Sequence, residues 1–362
     1  QRAIQVEPSL IAAYSAEAQL ETELDNNWEA ASALFSTAIE TNPSSSIAHL
    51  VAGRFFQQRG MFDEAESAFQ TGLSLPSITE DNFLALSDLH MMRGDWESAE
   101  DMLQRASSAF PAAPNVYQSL GEFYLARGEI EKAQEKFEKA ISLDKTYIAP
   151  YVGLSRINQF SGKTVAAEQV LADAVFKNPF SSEALSALAG FYENQEDYFQ
   201  AESFFQEAID IAPSELNAYL SLSEFYQRRG RFEESLEVLQ KAEIIPSHTT
   251  ELYLDIASTQ LGMHQHEAAI QSLESAVPID RSDPRAYIKM AEIYLSMGNM
   301  DKTLESLNKA VEVNPNDVQV NMALGRYYQQ LALFDKAEEH FKHAAFYDRS
   351  KSEALLALSN LY

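Results

Sequence analysis

Small residues recur along this chain at intervals of 34 residues, and this period constrains the fold more than any other feature. A second series of mostly small residues lies seven positions upstream, and a series of large apolar residues lies three positions upstream. Residues seven apart face one side of a helix, so another helix can approach closely there. Such a period predicts a repeat protein. The ten residues of the first series are Ala38, Gly72, Ala106, Ala140, Ala174, Ala208, Ala242, Ala276, Ala310 and Ala344.

Each 34-residue repeat unit also contains an amphipathic stretch upstream of the helix that carries these small residues. In the fourth unit its apolar side chains include Tyr117, Leu120 and Tyr124, a spacing that is typical of one helix face. Glycines such as Gly128 separate the two stretches, and glycine accepts the left-handed backbone of a helix C-cap. Prolines such as Pro43 lie between units and end the second helix. The pattern therefore predicts pairs of helices joined by tight turns.

These residues resemble the motif of the tetratricopeptide repeat. The motif has a bulky residue at position 4, Leu at 7, Gly or Ala at 8, Tyr at 11, Ala at 20, Phe or Leu at 24, Ala at 27 and Pro at 32. The resemblance covers almost the whole chain. It implies an all-α α-solenoid, a right-handed superhelix of antiparallel helix pairs whose first helices line a concave groove. In the fourth unit the matching residues are Tyr117, Leu120, Gly121, Tyr124, Ala133, Phe137 and Ala140.

No linker interrupts the repeats, so we expect one elongated solenoid domain over residues 1–362. Residues 1–10 match the end of a second helix and residues 352–362 match a first helix, so both ends cut through a repeat. We therefore expect the chain to be a segment of a longer protein. The ten complete repeats are predicted at 11–45, 46–79, 80–113, 114–147, 148–181, 182–215, 216–249, 250–283, 284–317 and 318–351.

Composition restricts the partners. The net charge is −27, which repels phosphate backbones and anionic membranes, so we expect no nucleic acid and partners that are partly basic and apolar. No apolar run approaches membrane-spanning length, which predicts no direct membrane insertion. The chain has no cysteine, which excludes disulfides, thiolate zinc sites and thiol catalysis. A soluble protein of the cytoplasm or of the bacterial periplasm fits equally, and the oligomeric state stays open.

Two motifs weakly suggest a nucleotide-binding loop and a metal site. Residues 161–164 (SGKT) resemble the end of a phosphate-binding loop, but Ile157 stands where that motif requires glycine, and a helix rather than a strand precedes it. His264 and His266 have no third ligand in register, so solvated turn residues are the better interpretation. The chain is therefore predicted to have no catalytic residues, no metal and no cofactor.

The resemblance places partner-binding side chains mainly at positions 2, 5, 9, 12 and 13 of the first helices. Position 5 forms an apolar stripe and position 9 a row of mixed charges, a combination that is typical of protein-binding surfaces. The alternative is that position 5 packs against the second helix of its own repeat. The candidate residues are Leu50, Leu84, Val152, Leu220, Leu254, Ile288 and Met322 at position 5, and Arg54, Asp88, Glu122, Arg156, Glu224, Glu292 and Arg326 at position 9.

The prediction is a non-catalytic scaffold that binds a peptide or protein segment in the groove. The carboxylate clamp of chaperone-tail binders is absent, because position 5 is not Lys and position 9 is mostly charged. Two alternatives stay open: a substrate-recruiting arm of a larger enzyme such as a glycosyltransferase, or a scaffold of bacterial polysaccharide export or pilus assembly. Repeats 5, 6 and 8 depart most from the motif, as flexible joints or as contact sites.

Overall fold

The computed structural model describes residues 11–14, 18, 28–246, 249–281, 283–347 and 352–361. Within these ranges every regular element is a helix, which confirms the all-α prediction. The helices that follow residue 27 are α1 (Trp28–Thr41), α2 (Ser46–Gln58), α3 (Phe62–Leu73), α4 (Glu80–Met92), α5 (Trp96–Ala109), α6 (Pro114–Ala126), α7 (Ile130–Leu143), α8 (Ala149–Phe160), α9 (Thr164–Lys177), α10 (Ser182–Asn194), α11 (Tyr198–Ile211), α12 (Leu216–Arg228), α13 (Phe232–Ala242), α14 (Thr250–Gly262), α15 (His266–Ala276), α16 (Arg285–Ser296), α17 (Met300–Val313), α18 (Val318–Gln330), α19 (Phe334–Tyr347) and α20 (Ser352–Ser359).

The helices pair as the 34-residue period predicts. Helix α6 packs against α7 within one repeat, and α7 packs in turn against α8 of the next repeat. The same alternation recurs along the chain, for example through α10, α11 and α12. Each second helix therefore lies between two first helices, as expected for a solenoid in which a repeat contacts its neighbours.

The turn within each pair requires a residue in the left-handed backbone region. Gly128 has φ of 73°, and the other turn glycines of the described chain have similar values. Three repeats place another residue there: Glu196 at 61°, His264 at 59° and Ala332 at 55°. Residues with a Cβ lose roughly 1–2 kcal/mol in this conformation. The fold therefore imposes the turn even where the sequence does not favour it.

The core depends on a fit between a glycine at position 8 and a phenylalanine at position 24. A Cβ built on Gly121 would lie 2.4 Å from the Phe137 ring, and one on Gly153 of the next repeat would lie 2.5 Å from the same ring. The Phe137 side chain is fully buried, so the ring occupies the space that a side chain at position 8 would need. Gly53 with Phe69 and Gly325 with Phe341 repeat this contact. Repeats with Ser or Ala at position 8 have Leu at position 24, except for two pairs, Ala18 with Phe35 and Ala189 with Phe205.

The chain is organised as two compact units, of which unit 1 joins residues 1–102 with residues 270–362. Within unit 1 the turn after α2 contacts the junction of α17 and α18. The Arg59 guanidinium donates to the Val313 carbonyl oxygen at 2.8 Å, and the Asn316 amide donates to the Arg59 carbonyl oxygen at 2.9 Å. Burial lowers the pKa of Arg59 to about 10. The repeat pattern does not predict this contact.

Unit 2 comprises residues 103–269. Its buried core includes a chain of hydroxyl groups at a site where most repeats have alanine. The Ser235 hydroxyl lies 2.8 Å from the Ser223 hydroxyl and 2.9 Å from that of Thr259, and all three residues are buried. Thr259 also donates to the Asp255 carbonyl oxygen at 2.9 Å. That residues 1–362 form one solenoid domain, as expected from the sequence, stays a prediction.

Candidate protein-binding surface

The aliphatic side chains at position 5 are mostly part of the core. Five of them are no more than 8% exposed, whereas Leu84 and Val152 are half-buried. Ile288, for example, belongs to one apolar cluster with Ala310 and Leu324, which lie on the helices packed around it. The predicted exposed stripe is therefore wrong for these five residues, because position 5 faces neighbouring helices closely enough to exclude water. They are Leu50, Leu220, Leu254, Ile288 and Met322.

The charged side chains at position 9 lie at the surface. Glu122 is half-buried, and the other six are exposed: Arg54, Asp88, Arg156, Glu224, Glu292 and Arg326. Two of the arginines reach an acidic residue at position 2 of the next repeat. Arg54 lies 3.9 Å from Asp81, and Arg326 forms an ion pair with Glu353. Position 9 therefore presents polar groups that helix packing does not require.

A cluster at α6 and α8 combines charge with an unused hydrogen-bond acceptor. The Arg156 guanidinium lies 3.0 Å from the Glu122 carboxylate, and both side chains are more than 40% exposed. The Gln118 amide donates to Glu122 at 3.2 Å, whereas the buried Gln118 Oε1 has no hydrogen-bond partner among the described residues. Val152 lies on α8, one turn before Arg156. Burial, and then the negative charges of Glu183 and Glu122, raise the pKa of Tyr147.

A second cluster lies at α10 and α12. The Arg228 guanidinium donates to both carboxylate oxygens of Glu193, at 2.8 and 2.7 Å, and to Glu224 at 3.3 Å. The hydrogen bonds to Glu193 raise the pKa of Arg228. Sequence reasoning did not single out Glu193 or Arg228. Their separation of 35 residues, one repeat and one residue, was the signal that could have found them.

The candidate residues divide between the two compact units. Both clusters lie in unit 2, and each unit contains its own part of the charged row. Unit 2 holds Glu122, Val152, Arg156, Leu220, Glu224 and Leu254, and unit 1 holds Leu50, Arg54, Leu84, Asp88, Ile288, Glu292, Met322 and Arg326.

The described residues offer little for metal or membrane binding. No group of three or more His, Asp or Glu side chains within them is placed to hold a metal ion. His264 lies on a turn with φ of 59°, and His266 begins α15. Within the same ranges, no helix combines the length and the apolar character needed to cross a bilayer. Lys163 lies on the turn before α9, which follows a helix rather than a strand.

Models of the tetratricopeptide repeat family match most of the chain, at residues 25–76, 84–148, 124–190, 184–219 and 260–327. The paired helices, the left-handed turns and the fit between positions 8 and 24 define a helical repeat protein. The chain belongs to the tetratricopeptide repeat family, whose members are generally non-catalytic scaffolds for protein interactions. No curated protein matches the chain.

Solved structures share the fold at low identity. Yeast Tom70 aligns with a TM-score of 0.60 and 15% identity over 99% of this chain and 89% of its own. A human IFIT1 dimer with m7Gppp-AAAA aligns at 0.48, with 18% identity over 88% of this chain and 81% of its own. A tetratricopeptide repeat protein from Parabacteroides merdae aligns at 0.43, with 20% identity over 68% of this chain and 98% of its own. The first of these likenesses supports the fold alone.

Proposed function

We propose that the chain is a non-catalytic scaffold that binds a partly basic and apolar peptide or protein segment along the first helices of its repeats. The observation that carries this proposal is the cluster of Gln118, Glu122 and Arg156. Its charged side chains are each more than 40% exposed, and the Gln118 Oε1 acceptor is buried without a partner among the described residues. A buried acceptor without a hydrogen bond is unfavourable. A donor from a bound segment would stabilise it once the Gln118 side chain rotates toward the surface, because in its present position the oxygen is closed to solvent.

The ion pairs within the clusters fit exchange with a partner. Exposed pairs contribute only about 0–1 kcal/mol each, so a basic side chain of a ligand can replace Arg156 beside Glu122 at small cost. The same holds for Glu224, whose side chain is 55% exposed beside Arg228. The overall charge of −27 attracts basic segments and raises their association rate at low salt. Val152 and Leu84 supply the half-buried apolar contacts.

The test is selection of peptides from a displayed library of short segments against the intact chain. We expect a class of basic and apolar peptides whose binding weakens about tenfold in a Glu122→Gln/Glu224→Gln variant and weakens further with added salt. The matched control is Glu131→Gln/Glu233→Gln, which removes the same charge from second helices. Leu220→Asp is unsuitable as a probe, because Leu220 is buried.

The proposal fails if no selected peptide distinguishes the two double variants, or if the peptides that do so are acidic. Circular dichroism of both variants checks that they remain folded. We expect no change in the helical signal, because the four carboxylates are exposed or half-buried at the helix surface.

A further inference from the structure

Two adjacent repeats of unit 2 depart from a rule that the rest of the chain obeys. Position 18, in the first turn of each second helix, is acidic in eight repeats, where a negative charge stabilises a helix. In repeats 5 and 6 it is Val165 and Phe199 instead, and these side chains are 79% and 82% exposed. The acidic residues at the equivalent positions are Glu29, Asp63, Glu97, Glu131, Glu233, Glu267, Asp301 and Asp335.

The apolar surface extends along α9. Phe176 follows Val165 by eleven residues, which is close to three helical turns, so both side chains lie on the same face of the helix. Phe176 is 83% exposed. Helix α10 packs against both α9 and α11, so the two second helices belong to neighbouring repeats of one unit. We call Val165, Phe176 and Phe199 the α9–α11 surface.

Several charged residues of these helices have partners within the fold. Glu168 accepts a hydrogen bond from the Tyr192 hydroxyl at 2.7 Å, and Asp173 forms an ion pair with Lys177. Glu202 accepts from Arg231 at 2.7 Å. Exposed residues between the apolar side chains, such as Gln169 and Gln200, are uncharged. An exposed apolar area of this kind marks an interaction site in a soluble protein.

Two cations at the margin can pair with acidic groups of a partner, whereas the carboxylate of Asp197, two residues before Phe199, caps its own helix by accepting from the Gln200 backbone N–H. Arg229 lies over the ring of Tyr198, the residue next to Phe199, with its guanidinium carbon 3.6 Å from the ring centroid. Lys163 precedes Val165 by two residues and is exposed. Among the described residues neither cation forms an ion pair with a carboxylate. Equivalent arginines can pair within the fold, because Arg93 lies 2.6 Å from Asp63.

We propose that the α9–α11 surface binds an amphipathic segment of a partner protein, whose apolar side chains contact Val165, Phe176 and Phe199 and whose flanking Asp or Glu residues pair with Lys163 and Arg229. A second copy of this chain is disfavoured as the occupant, because two bodies that each carry a charge of −27 repel one another. This site is separate from the proposed groove and prefers ligands of the opposite charge.

The chain offers a substitution that removes this surface without harming the fold. Val165→Glu/Phe199→Glu restores the acidic residue that other repeats have at position 18, at two exposed sites. The matched control is Ser108→Glu/Ser142→Glu, which adds the same charge at exposed positions of α5 and α7. Circular dichroism and sedimentation of each variant confirm its folded state. Arg229→Gln tests the charged margin separately.

The experiment selects peptides from a displayed library of short segments against the intact chain and measures their affinity for each variant. We expect a class rich in aromatic, aliphatic and acidic residues that binds Val165→Glu/Phe199→Glu about tenfold or more weakly. Its binding should weaken less in Arg229→Gln and stay unchanged in the serine control and in Glu122→Gln/Glu224→Gln. This last result distinguishes the site from the proposed groove.

The inference is overturned if no selected peptide depends on Val165 and Phe199, or if the dependent peptides are basic. It is also overturned if sedimentation shows that the unmodified chain self-associates and that Val165→Glu/Phe199→Glu abolishes the association, because the occupant would then be a second copy.

Discussion

Variants of Gly121 and Phe137 test whether the side chains at positions 8 and 24 of a repeat are matched in size. In Gly121→Ala the new Cβ would lie 2.4 Å from a ring that is fully buried and that also contacts Gly153. Over-packing of this kind costs about 1–3 kcal/mol, and the gain in helix propensity over glycine returns about 0.5–1 kcal/mol. We therefore expect Gly121→Ala to lower the free energy of unfolding by about 1–2 kcal/mol.

The second half of the test is compensation. Phe137→Leu alone leaves part of the ring volume empty and should cost less than the roughly 3–5 kcal/mol typical of Phe→Ala. In the double variant the Cβ at position 8 fills space that the ring has left, as Ala291 and Leu307 do in repeat 9. The two losses should therefore not add, with a coupling energy of about 1–2 kcal/mol in favour of the pair.

Gly190→Ala is the matched control. Gly190 also lies within a first helix, but a Cβ built there meets nothing within 4 Å. We expect this variant to be more stable than the parent by about 0.5–1 kcal/mol.

The assay must resolve individual repeats, because a repeat array can unfold in segments. Native-state hydrogen exchange of amides in α6, α7 and α8 gives local opening free energies, and urea titration followed by circular dichroism gives the global change. The reasoning is refuted if the effects of Gly121→Ala and Phe137→Leu add within about 0.5 kcal/mol. It is also refuted if Gly121→Ala stabilises the chain as Gly190→Ala does.

Two further predictions concern unit 2. The hydrogen bond from Arg231 holds the pKa of Glu202 below its ordinary 4.5, so the stabilisation is present above that value and is lost as the pH falls through the lower folded pKa. Acid titration of Arg231→Ala, followed by circular dichroism, should therefore show a smaller loss of stability in this range than the parent chain does. Ser235→Ala should cost about 1–3 kcal/mol in urea titration, because the buried hydroxyls of Ser223 and Thr259 lose a partner, although alanine is the commoner residue at this position. A neutral or stabilising result would contradict the role assigned to the hydroxyl chain.

The internal period predicted the elements of the fold because each repeat restates the same local rules. Spacing of small and large residues fixes which faces of a helix pack, and glycine marks the turn even though Glu196 shows that the turn forms without it. Charged residues at position 9, such as Arg156, were predicted to lie at the surface; six of the seven are exposed, and Glu122 is half-buried. The helix pairs therefore followed from sequence, and the role of position 9 in binding stays a prediction.

The burial of the apolar side chains at position 5 did not follow from the sequence. A leucine such as Leu220 suits a groove and a core equally well, and only the distance to neighbouring helices decides between them. Likewise the compositions of α9 and α11 do not reveal that Val165 and Phe199 are exposed, since apolar residues on a helix are usually buried.

Sequence by itself determined the pairing of helices, because those contacts join residues within one repeat or between adjacent repeats, where the pattern is restated each time. Tertiary structure alone decided which side chains water reaches and which distant residues meet. The contact of Arg59 with Val313 spans 254 positions, and the repeat pattern, which relates only a repeat and its neighbours, does not encode it.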